Sequence, residues 1–195
     1  IGKLIPARAA VYVEPLPARI TESLLPPSLA GEDIADLEGE DWEALAELAC
    51  ARIAARAGAR VLIGGLGMGF TLAAALRVLP PDARVEVAEL IPAVVEWNRG
   101  PLAHPAGRPL EDPRVSLWEG DVADRIRGVR SALDAILLDV DNGPDGLTRP
   151  GNDWLYSAAG LRAARAALRE SGVLGVCSVE PDSAFTRRLA QAGFS

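Results

Sequence analysis

The chain has 195 residues, of which 49% are hydrophobic, and its 27 acidic and 20 basic side chains give a net charge of −7. That length suits one good hydrophobic core, and the acidic balance disfavours a general nucleic-acid binder, which needs a basic face. No apolar run approaches the ~20 residues of a membrane span, and with one histidine and two cysteines neither a polyhistidine centre nor a cysteine zinc site can form.

The elements read as follows in chain order. Residues 1–40 are proline-rich and acidic, with one strand-like piece at AAVYVEP (9–15). The sequence starts at Ile1 with no basic-then-apolar leader, as expected of a piece of a longer chain. From Asp41 to Gly58, DWEALAELACARIAARAG puts Trp42, Leu45, Leu48, Ala49 and Ile53 at helical spacing, with Asp41 as N-cap and Gly58 as terminator. Strands and helices then alternate. RVLIGG (60–65) is a strand and FTLAAALRVL (70–79) a helix; RVEVAEL (84–90) is a strand and PAVVEWNRG (92–100) a helix with proline in its first turn. RVSLWEGD (114–121) is the third strand of this series, followed by a short helix. LDAILLDVD (133–141) is the fourth, its continuous apolar run suited to a parallel sheet covered on both faces. A helix over 155–172, a strand over 173–179 and a last helix complete the pattern. This alternation predicts a doubly wound, mostly parallel α/β sheet.

Ligands of such sheets bind beyond the carboxyl ends of the strands. The residues gathered there are Gly65, Gly67 and Gly69 after the first strand of the alternating series, Glu89 at the end of the second, Asp121 after the third, and Asp139, Asp141 and Asn142 after the fourth. Glycines at alternate positions let the backbone turn tightly beside a helix N-terminus and approach a ligand closely. Glu89 lies 20 residues beyond Gly69, close to the offset at which an acid takes ribose hydroxyls in nucleotide folds. Asp121 suits an adenine amino group; it also reads as a helix cap. A dinucleotide fingerprint wants a third glycine three residues after the second, and that place is Phe70. The two cysteines, Cys50 and Cys177, stand in apolar contexts as buried free thiols do, which fits a reducing, cytoplasmic setting.

The glycine loop without that third glycine, followed by acids after the next two strands, resembles the Rossmann-like fold of class I S-adenosylmethionine-dependent methyltransferases. From residue 41 onward the chain looks like the spermidine synthase branch of that superfamily. The resemblance lies in VLIGGLGMG, in VEVAEL with Glu89, in DPRVSLWEGD (112–121), in DAILLDVDNGP (134–144) and in LYSAAGLRAARAALRESGVLGV. It implies a binding domain over 41–195 and, in residues 1–40, the remnant of a small β-domain. Members continue with a final strand pair that this sequence, ending at Ser195, lacks. The resemblance implies S-adenosylmethionine or its decarboxylated form as cofactor, no metal, a cationic amine as acceptor and a homodimer. The family places an aspartate in the glycine loop where this chain has Gly67, and an Asp-x-x-Asp after the fourth strand where this chain has Asp139 and Asn142, with Asp141 one place early.

Both activities within reach of this resemblance are in-line displacements at a carbon attached to a sulfonium, so the protein mainly positions and desolvates. An amine nucleophile must lose a proton first, since its free pKa is ~10. Asp139 is the candidate to orient it and take the proton, with Asp141 and Asn142 holding the acceptor and Tyr156 lining its pocket or simply packing. Aminopropyl transfer, methyl transfer to a small molecule, and a non-catalytic module with the same fold are the three readings. The bare backbone at Gly67 favours the second and third.

Overall fold

The computed structural model describes residues 8–13, 40–140, 153–178 and 183–194. The expected Asp141 and Asn142 lie outside them.

Six strands form one sheet in the order β1-β6-β5-β2-β3-β4, with every neighbouring pair parallel. The strands are β1 (Arg8–Val13), β2 (Arg60–Gly64), β3 (Arg84–Glu89), β4 (Val115–Glu119), β5 (Leu133–Leu138) and β6 (Leu168–Ser178). The helices are α1 (Glu40–Cys50), α2 (Phe70–Val78), α3 (Pro92–Arg99), α4 (Val122–Gly128), α5 (Asp153–Tyr156), α6 (Ala158–Ala167) and α7 (Ser183–Gln191). From β2 onward, the chain runs outward through β3 and β4, then returns to the other side of β2 for β5 and β6. The strand order therefore reverses between β2 and β5, which is where such sheets open a crevice for ligands.

The sheet is covered on both faces because its central strands are apolar on both. Val61 and Ile63 of β2 join Val85, Val87, Ala135 and Leu137 in a core roofed by α1, α2 and α3. Leu62 points the other way, with Ile136, Leu138, Leu174 and Val176, beneath α4, α6 and α7. All six residues of β5 are buried, as the unbroken apolar run anticipates. Each large aliphatic side chain buried this way contributes about 1.5–3 kcal/mol. No helix of the described residues is long and apolar enough to cross a membrane.

Three local expectations change. The first helix is shorter than its periodic pattern: it ends at Cys50, and Leu48 is 54% exposed while Leu45, Ala49 and Ile53 are buried. It also starts at Glu40, so Asp41 lies inside it. The long helix expected over 155–172 is interrupted. Ser157 caps α6, its hydroxyl accepting from Gly160 N–H and donating to the Trp154 carbonyl. A Cβ at Gly160 would lie 2.0 Å from that carbonyl oxygen, so glycine lets α5 fold tightly onto α6. The strand expected from 173 already begins at Leu168, where β6 pairs with Leu133 before a register shift. The strand foreseen near the N-terminus is β1, at the sheet edge beside β6.

Candidate functional site

The loop between β2 and α2 is anchored on both sides of the reversal. Asp139 N–H donates to the Gly64 carbonyl (2.9 Å), and Gly65 N–H donates to the Ala88 carbonyl of β3 (2.9 Å). Gly65 has φ 89, and a Cβ there would sit 2.1 Å from the Asp139 backbone oxygen. No other residue type fits so close a crossing of two chains.

Glu89, at the end of β3, is buried and braces this loop. Its Oε2 accepts from Leu66 N–H (2.9 Å) and its Oε1 from Ile91 N–H (2.8 Å). A carboxylate has about four acceptor positions, so these two bonds leave room for a ligand hydroxyl. Gly69 N–H turns back to the Leu66 carbonyl (2.8 Å). The N–H groups of Gly67 and Met68 have no partner among the described residues. Gly67 is exposed at φ 50, and nothing lies within 4 Å of where its Cβ would be. Successive free N–H groups around a left-handed residue form a concave donor pair suited to an anion.

Asn98 of α3 holds the loop from behind. Its Nδ2 donates to the carbonyls of Gly67 (2.8 Å) and Val94 (2.9 Å). The side chain is buried, and its Oδ1 has no hydrogen-bond partner among the described residues. That oxygen lies 3.1 Å from the position of a Gly69 Cβ.

Asp139 follows β5. Although the residue keeps some surface, its carboxyl group sits deep, and Oδ2 accepts from the Thr71 hydroxyl of α2 at 2.6 Å. Burial pushes this carboxyl above the usual range, and the Thr71 bond works against that rise. Asp121 is the N-cap of α4, its Oδ1 accepting from Ala123 N–H (2.8 Å). The cap reading of that residue is realised, and the second oxygen has no partner among the described residues. Tyr156 is buried, with its hydroxyl on the Val140 carbonyl (3.0 Å) and its ring edge-on to Phe185 at 5.8 Å. Tyr156 packs in the core while its hydroxyl reaches the carbonyl of the residue after Asp139. The structure thus brings Gly65, Gly67, Gly69, Glu89, Asp121 and Asp139 to one end of the sheet.

No protein-family model and no curated protein matches the sequence. Solved structures do match. A spermidine synthase in complex with the transition-state analogue AdoDATO superimposes with TM-score 0.63 and 23% identity over 80% of this chain and 50% of that one. The spermidine synthase of Thermotoga maritima gives 0.60 and 22% over 75% and 50%. Human methyltransferase-like protein 13, in complex with SAH, gives 0.54 and 22% over 77% and 70%. The chain has the Rossmann-like methyltransferase fold. It spans about half the length of those two spermidine synthases.

Within that fold, Thr71 and Asn98 are the site residues that sequence reasoning missed. Thr71 is the first polar side chain after the glycine loop. Asn98 falls on the same helical face as Val94 and Val95, so a polar residue at a core-facing position was the available signal.

Proposed function

We propose that this chain binds an adenosyl-sulfonium cofactor, S-adenosylmethionine in its intact form, and transfers an alkyl group to a small amine acceptor. The observation that carries this reading is the glycine loop. Gly67 and Met68 offer two N–H groups unpartnered among the described residues, where Gly67 leaves open space, a cradle suited to the carboxylate of the methionine moiety. The donor set fits the rest of the ligand: Glu89 for the ribose hydroxyls and Asp121 for the adenine amino group. When bound, the cofactor supplies an electrophilic carbon attached to a positively charged sulfur. Asp139, held by Thr71 and raised by burial, would orient the amine and accept its proton. The net charge of −7 suits a cationic acceptor. A homodimer, a cytoplasmic setting and an adenosyl-binding domain over 41–195 behind an N-terminal segment belong to the same proposal.

Aminopropyl transfer from the decarboxylated cofactor is the second reading. TM-scores of 0.63 and 0.60 against two spermidine synthases, above the 0.54 of the methyltransferase-like protein, favour it, while a third, probable spermidine synthase gives 0.52. A thermal-shift panel separates the readings, because a ligand at a hundred times its Kd stabilises by about 2.7 kcal/mol. S-adenosylmethionine and S-adenosylhomocysteine are expected to raise Tm more than methylthioadenosine and the decarboxylated cofactor. The reverse order would move the assignment to aminopropyl transfer. No shift with any of them would leave a non-catalytic module.

A further inference from the structure

We infer that Asn98 is a positioning residue that selects adenosyl ligands carrying a carboxylate. The inference rests on the adenosyl-binding reading above and deepens it. A trans peptide points its C=O and N–H in opposite directions. The Gly67 carbonyl is turned inward onto Asn98 Nδ2, at 2.8 Å. The N–H of the same peptide, that of Met68, therefore faces away from α3, on the exposed side of the loop. Release of the carbonyl would let this peptide rotate, since neither the Gly67 carbonyl nor the Met68 N–H makes another bond among the described residues and Gly67 has no side chain to resist. The Met68 N–H would then no longer pair with the Gly67 N–H to form one concave donor set.

The cost that Asn98 carries supports a role of this kind. Its Oδ1 is buried with no partner among the described residues, and an unsatisfied buried acceptor is a liability that native structures retain for a reason. The amide orientation is not interchangeable: turned over, its oxygen would face the carbonyls of Gly67 and Val94, both acceptors. The side chain is thus fixed with its donors toward the loop carbonyl and its acceptor toward the backbone of Gly69, 3.1 Å from that residue's Cβ position. Asn98 touches the back of the loop, so its effect on a ligand acts through the Gly67–Met68 peptide.

The test compares S-adenosylhomocysteine, which has the carboxylate, with methylthioadenosine, which lacks it, by calorimetric titration of parent, Asn98→Ala and Asn98→Asp. Asn98→Asp keeps the volume and loses both donors, and it serves if Asn98→Ala does not fold. The expected result is a loss of about tenfold or more in S-adenosylhomocysteine affinity with methylthioadenosine affinity held within about twofold. Equal weakening of both ligands, or of neither, would overturn the inference while leaving the adenosyl site in place. Failure of the parent protein to bind either ligand would instead remove the adenosyl site itself, and the inference with it.

Discussion

Strand β5 carries an aspartate near each end, and the two are treated in opposite ways. Asp134, at the amino end, is 2% exposed and fully engaged. Arg56 donates to its Oδ1 at 2.8 Å, while Arg60 N–H (2.9 Å) and Arg169 (2.8 Å) donate to its Oδ2. Arg56 also reaches the Ser171 carbonyl (3.1 Å), so this cluster ties the turn after α1 to β5 and to the bend inside β6. Asp139, at the carboxyl end, has the Thr71 hydroxyl as its partner among the described residues and sits in a low-dielectric setting that disfavours its charge. At the same end of the sheet, the N–H groups of Gly67 and Met68 and the second Asp121 oxygen have no partner among the described residues. The amino end of the strand is closed by its partners, and the carboxyl end keeps polar groups open to a ligand.

The sharpest way to break this contrast is Gly65→Ala. The new methyl would overlap the Asp139 backbone oxygen at 2.1 Å on a residue at φ 89, so the expected loss is about 4 kcal/mol in chemical denaturation. A loss near zero would mean that the carboxyl end has slack, and the crossing of β2 and β5 would no longer fix the site.

Asp134→Ala comes next. Removing it strands the part-buried Arg60 N–H and two arginines that are partly exposed and so partly rescued by water. About 2–3 kcal/mol should be lost in urea unfolding, with adenosyl-ligand affinity unchanged. A loss of affinity comparable to that of a site variant would show that the two ends of β5 are not independent.

The apolar runs were enough to locate each strand, though not the start of β6, because a parallel sheet covered on both faces needs runs such as VLIG and AILL. The strand-end residues were legible for the same reason: once the strands are placed, Gly65, Glu89, Asp121 and Asp139 follow by position. What escaped was set by contacts remote in sequence. Thr71 and Asp139 are 68 residues apart, and Asn98 and Gly67 are 31 apart; no local pattern announces either pair. The overlong helix through 155–172 had a similar cause. ALRESG continues a helical period, but pairing of Leu168 with Leu133 overrides it. Glu89 was read from its position as a ligand acid, whereas its two bonds to Leu66 and Ile91, which make it a brace, depend on the loop's fold.

The mildest test concerns the charge on Asp139. Its carboxyl is raised above the ordinary value of 3.8, first by burial, with the Thr71 hydroxyl opposing. A raised acid is better accommodated by the fold in its neutral form. Its favourable contribution is therefore fully present below the unfolded pKa and is lost as pH rises through the folded value, leaving a net cost at neutral pH. Asp139→Asn removes the titration and keeps an acceptor for Thr71. The variant should melt above the parent at pH 7–8, and the difference should close as pH falls below about 4. Turnover should fall by about a hundredfold if Asp139 takes the acceptor's proton. Asp134→Asn, run in parallel, should lower Tm across the same range, since a neutral amide cannot accept from two guanidinium groups as a carboxylate does. If Asp139→Asn destabilised the protein at neutral pH as Asp134→Asn does, then the Asp139 carboxylate would be a structural anion rather than one held ready for chemistry, and the two ends of β5 would differ only in the number of their partners.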